Sequence, residues 1–117
     1  MRNISFFLTQ DQFKDRSKDV TRRLGWKFLK AGDVLMACEK CQGLKPGEPL
    51  NRLGVIKVVD VRREPLHRMI VDQVYGVEEA RREGFPKMNG EQFVEMFCEH
   101  MKGEVDQVVT RIEFKYL

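Results

Sequence analysis

The sequence is poor in the features that mark secreted, membrane-spanning or disordered chains. It has three cysteines in 117 residues, an odd number that excludes a framework of paired disulfides, and the thiols are expected to be reduced. No apolar run approaches the roughly 18 residues that a membrane-crossing helix needs. The opening Met-Arg-Asn-Ile-Ser-Phe-Phe-Leu-Thr-Gln turns polar too soon for a secretory signal. A cytoplasmic location with no membrane partner is the resulting expectation. Repeats, low-complexity tracts and Ser/Gly linkers are also missing, so residues 1–117 read as one domain. At 42% hydrophobic and 33% charged residues, the chain has the composition of a globular domain with a single core.

Positive charge is present and unevenly spread. Lys14, Arg16, Lys18, Arg22, Arg23, Lys27 and Lys30 face only Asp15 and Asp19 in their window, a surplus of five in a chain whose net charge is +3. Such a patch suits phosphates or a nucleic-acid backbone, and it suits a solvated face equally well. Trp26, the single tryptophan, lies inside the window. A base can stack on its face, although a lone tryptophan is more often partly buried core.

The hydrophobic pattern predicts an α+β fold. Ile4 to Leu8 reads as a first strand, and Thr9-Gln-Asp-Gln12 has the form of a capping box opening a short helix to about Ser17. Val34 to Cys38 is a strand. Gly43, Pro46, Gly47 and Pro49 then punctuate a loop before the β-branched stretch Leu53 to Val61. Leu66 to Tyr75 and Val77 to Glu83 are helical candidates, the second closed by Gly84 and Pro86. Asn89 with Gln92 caps a helix whose Phe93, Phe97 and Met101 form one stripe. From Val108 the chain alternates: Thr110, Ile112, Phe114 and Tyr116 point one way, and Arg111, Glu113 and Lys115 the other. About five strands and three or four short helices result, in a small, strongly bent or closed sheet.

Four motifs in this order resemble the ASCH domain, a member of the PUA-like superfamily of small β-barrels. They are Lys18-x-x-Thr21-x-Arg23, Lys30-x-Gly32-Asp33-x-Leu35, Glu83-Gly84-Phe85 and the closing Ile-Glu-Phe-Lys-Tyr-Leu. The resemblance runs from about Ile4 to Leu117. It implies a PUA-like barrel with helices at its rim, a cleft lined by the Lys-x-x-Thr segment, and RNA or a modified nucleoside as partner, with no obligate protein partner. One bacterial branch of the family removes the acetyl group from N4-acetylcytidine with a lysine, a threonine and a glutamate. Residue by residue these fall on Lys18, Thr21 and Glu83, while Arg22, Arg23, Trp26 and Lys27 are the candidate ligand contacts. Cleavage of RNA, also linked to the family, finds no obvious acid–base pair in the two histidines.

Amide hydrolysis needs a nucleophile, a base and donors for the developing oxyanion. Thr21 offers the hydroxyl, Lys18 the base once desolvated, and Glu83 a group to handle the leaving amine. Spacing adds a condition. Residues three apart share a face in a helical turn but oppose each other in a strand, so this chemistry requires a turn at 18–21. Ordinary readings compete: Lys18 as a solvated charge, Thr21 at the start of a strand, and Glu83, Arg62-Arg63 and Arg81-Arg82 at element ends facing water. Cys38-x-x-Cys41 has zinc half-site spacing that Cys98 and His100 would have to complete. Positions i and i+2 of a helix point apart, which argues against it. His67 is expected to face solvent. No metal or other cofactor is called for.

Overall fold

In the computed structural model, which describes residues 1–117, five strands form one sheet: β1 (Arg2–Ser5), β2 (Val20–Arg23), β3 (Val34–Cys38), β4 (Arg52–Pro65) and β5 (Val108–Tyr116). Their order is β1-β3-β4-β5-β2. Only β1 and β3 run parallel; the other neighbours are antiparallel. The sheet curls into a half-barrel, because a side chain of one edge strand reaches the other: Arg23 of β2 donates through Nη2 to the Ser5 carbonyl of β1. A register shift between Val58 and Asp60 helps β4 bend.

Inside the curl lie Ile4, Phe6, Phe13, Leu35, Ile56, Ile112 and Phe114. Phe13 packs at 5.1 Å from Phe6 and 4.9 Å from Tyr116, centroid to centroid. Such aromatic pairs contribute about 0.5–1.5 kcal/mol each beyond their burial. A second core lies under the helices, formed by Leu66, Met69, Ala80, Phe93, Val94, Phe97 and Val109. No helix is long and apolar enough to cross a membrane.

The helices are α1 (Gln10–Lys14), α2 (Arg68–Val71), α3 (Gln73–Arg82) and α4 (Gly90–Met101), with one 3-10 turn at Phe7–Thr9. Thr9 makes no side-chain cap, so the expected capping box is absent and α1 stops at Lys14. The expected helices at 66–75 and 77–83 are divided elsewhere. Asp72 interrupts them with extended backbone and caps α3 by accepting from the Tyr75 N–H. Asn89 and Gln92 do form their reciprocal box. Asn89→Ala is therefore expected to lower the unfolding free energy by about 1 kcal/mol, measured as an earlier urea midpoint at unchanged slope.

One open reading of the strands is decided and one expectation fails. Val20–Arg23 is a strand, although it carries two arginines and little apolar content. Arg111 is not on a solvated face: it is buried, among the largest fully enclosed side chains of the molecule. Compensation explains both. Arg22 and Arg111 are register partners on β2 and β5, a pairing of like charges that is unfavourable by itself. Glu79 of α3 lies between them and accepts from Arg22 Nη2 at 2.6 Å and Arg111 Nη2 at 3.1 Å. An ionic cluster thus docks α3 on the sheet.

Candidate functional site

The C-terminus of α3 places the first functional group. Gly84 has φ +102, and a Cβ there would approach the Gln12 side chain to 2.7 Å, so glycine alone ends this helix here. That explains the Glu-Gly-Phe motif, since Glu83 becomes the C-cap of α3. The chain before β2 caps the same end. The Asp19 N–H donates to the Arg82 carbonyl at 3.0 Å, and Lys18 Nζ to the Glu83 carbonyl at 2.8 Å. Carbonyls left without helical partners are thereby satisfied, and a cation sits at the negative end of the helix dipole.

Glu83 joins two cations with its two carboxylate oxygens. Oε1 accepts from Lys18 Nζ at 3.0 Å and Oε2 from Arg22 Nη1 at 3.0 Å. All three residues are buried. Burial lowers the pKa of the Lys18 ammonium, and the Glu83 carboxylate offsets this only in part. Burial acts the same way on Arg22, but there Glu83, Glu79 and Glu64 outweigh it and the pKa rises. Glu64 also accepts from Tyr75 and Arg62, so Arg62 has partners rather than water alone.

Thr21 and Arg23, two apart on β2, share a face. Arg23 Nε donates to Thr21 Oγ1 at 3.1 Å. Burial brings the Arg23 guanidinium down to about 10 despite the attraction of Glu83.

These groups meet at a cavity of about 260 Å³ lined by Lys18, Thr21, Arg22, Arg23 and Glu83. Apolar side chains complete the lining: Phe6 and Phe7 at the 3-10 turn, Phe85 after α3, and Phe93, Met96 and Phe97 of α4, with His100. The Phe6 ring lies 5.0 Å from the Arg23 guanidinium. Lys18 and Thr21 line the same cavity without the turn at 18–21 that the spacing makes a condition of the chemistry. Lys18 precedes the strand, so the alternation that would separate them does not extend to it.

Arg22, anticipated as a phosphate contact, is enclosed and committed to three carboxylates, so it is not a free surface cation. Trp26 and Lys27 are not part of this cavity. Trp26 is half-buried against the sheet core, while Lys27 is exposed. The aromatic lining and His100 escaped sequence reasoning. The Phe93 and Phe97 stripe was legible as apolar, but a stripe facing a cavity reads the same as one facing a core. Cys38 lies beside Cys41, and its burial together with that neighbour pushes its thiol up to about 11. No three His, Cys, Asp or Glu side chains come together as a metal site would require. His67 is half-buried, with Nδ1 enclosed and unpartnered.

No known family profile matches the chain, and no curated protein does. Solved structures do share the fold. Protein EF3133 from Enterococcus faecalis, of family DUF984, superposes with a TM-score of 0.61 at 15% identity, over 94% of this chain and 70% of its own. Hypothetical protein PH0355 gives 0.63 at 17% identity, over 99% and 96%. The ASCH domain from Lactobacillus crispatus gives 0.50 at 13% identity, over 93% and 70%. The chain shares the fold of these structures, an ASCH domain among them, as its motifs imply, and at these identities the likeness is one of fold.

Proposed function

We propose that the cavity holds one nucleoside, either a base of an RNA chain or a free modified nucleoside, and that the protein is an RNA-binding module. One observation carries this reading: Lys18, Thr21, Arg23 and Glu83 line one cavity of about 260 Å³ together with five phenylalanines. Flat rings supply stacking for a base, and a few fixed donors and acceptors read its edge. The volume lies just under the roughly 300–1,000 Å³ of sites for drug-sized ligands, which favours a ligand of nucleoside size. Lys18 has three donors and uses two on Glu83, leaving one for a ligand oxygen.

Titration calorimetry at low salt tests this with cytidine, N4-acetylcytidine and a short single-stranded RNA. Saturable binding that Lys18→Ala abolishes is expected, with RNA affinity falling as salt rises. Folded protein that takes up none of the three would overturn the proposal.

A second reading is hydrolysis of the acetyl amide, favoured by the contact between Lys18 and Glu83 beside an uncommitted Thr21 proton. A proton passing from Nζ to Oε1 leaves a neutral amine. That amine takes the Thr21 hydroxyl proton as Oγ1 bonds to the acetyl carbon, and Arg23 donates to the oxyanion. Collapse breaks the C–N bond and the leaving amine takes a proton from Lys18. Water then adds to the acetyl carbon with its proton passing to Lys18, and the ester C–O bond breaks as that proton goes to Thr21 Oγ1. Acetic acid leaves, and Oε1 returns its proton to Nζ.

A further inference from the structure

A second hollow, of about 430 Å³, is built from the same two edge strands as the cavity. Arg2 and Asn3 of β1 line it, with Leu24, Trp26 and Phe28 beyond β2 and Gln42 from the loop after β3. It shares no residue with the cavity, yet the two are neighbours along the seam. Asn3 and Ser5 lie on one face of β1, about 7 Å apart along the strand, one in each site. On the other edge, Arg23 belongs to the cavity and the adjacent Leu24 to the hollow.

The hollow has its own character. After Leu24 the chain turns through two left-handed residues, Gly25 at φ +75 and Trp26 at φ +53, the second a conformation uncommon outside glycine. The turn sets the Trp26 and Phe28 rings 5.4 Å apart with planes 32° from each other. Phe28 is 52% exposed, and the Arg2 guanidinium lies 4.2 Å from its ring centre. Lys27 and Lys30 are exposed nearby in the chain, and no carboxylate lines the hollow. An exposed Phe28 beside a half-buried Trp26, flanked by cations, complements a polyanion whose every unit carries a flat base.

Resting on the nucleoside reading of the cavity, we propose that this hollow is a stacking subsite for the nucleotide next to the one in the cavity. The ligand is then single-stranded RNA rather than a free nucleoside. Trp26, the only tryptophan, lines the hollow and not the cavity. The test titrates the intact protein with cytidine and with a single-stranded cytidine hexanucleotide, following Trp26 emission and calorimetric heat. Wild type, Phe28→Ala, Phe28→Tyr and Arg2→Ala are compared. The hexanucleotide is expected to quench Trp26 and to bind more tightly than cytidine. Phe28→Ala should weaken it at least about fivefold, the low end of what one stacked base contributes, while cytidine binding stays unchanged. Phe28→Tyr should retain affinity and Arg2→Ala should lose part of it. Cytidine binding with no quench or gain from the hexanucleotide overturns the subsite and leaves the cavity reading intact; binding of neither overturns both. Emission that changes with protein concentration alone would mark a contact between copies and also refute it.

Discussion

Glu79→Gln is expected to lower the unfolding free energy by about 3–5 kcal/mol, the usual cost of removing one partner from a buried ion pair. Glu79 accepts from Arg22 and from two nitrogens of Arg111. Without it, Arg22 keeps Glu64 and Glu83, whereas Arg111 retains only a 3.6 Å contact with Glu113. A guanidinium that is 2% exposed is then left nearly uncompensated. Against a typical total of about 5–15 kcal/mol, this is a large fraction. Glu78 is the internal control: its pair with Arg81 is more than half exposed on both sides, and Glu78→Gln should change stability by less than about 1 kcal/mol. Urea melts of the two adjacent variants check both values.

The same residue sets an acid limit. Burial alone would raise the Glu79 carboxyl, but the hydrogen bond from Arg111 and the charge of Arg22 more than offset it and hold the carboxyl at about 2, against its ordinary 4.5. A carboxylate depressed in the folded state contributes stability that is fully present above pH 4.5. That contribution is lost as pH falls from there toward 2. Wild type should therefore lose stability through this window more steeply than Glu79→Gln, which has no such carboxyl to protonate.

Thr21→Val is expected to separate the two readings of the cavity. The substitution keeps the shape of the side chain and removes the hydroxyl that accepts from Arg23. Nucleoside affinity should fall by less than about tenfold, the scale of one lost hydrogen bond. If the protein is a hydrolase, release of cytidine from N4-acetylcytidine should fall by at least about 10³-fold, as loss of a nucleophile entails. Turnover that survives in Thr21→Val removes Thr21 as nucleophile. No turnover in the wild type, with binding retained, leaves the RNA-binding module.

Where a structural feature depends on neighbours in sequence, it was legible. The capping box of Asn89 and Gln92 closes within one turn, and β3 and the Ile112, Phe114, Tyr116 face of β5 follow the two-residue period of a half-buried strand. The ASCH-like motifs were legible too, because they mark local events: a glycine that must end α3 after Glu83, and a Lys-x-x-Thr segment leading into an edge strand. The break at Asp72 was not, since the apolar pattern continues across it.

Burial of charge was invisible for a different reason. Nothing in Val-Thr-Arg-Arg says that Arg22 is enclosed. Its carboxylate partners lie 42, 57 and 61 residues away, and an arginine with no partner would have to face water. By itself the sequence determined the fold class, the elements around β3, β4, β5 and α4, and the identity of Lys18, Thr21 and Glu83 as a candidate set. Only the tertiary structure decided that these three line one cavity, that Arg22 and Arg111 lie inside, and that aromatic side chains share that cavity. Each of those outcomes depends on compensating contacts between segments that the curl of the sheet brings together.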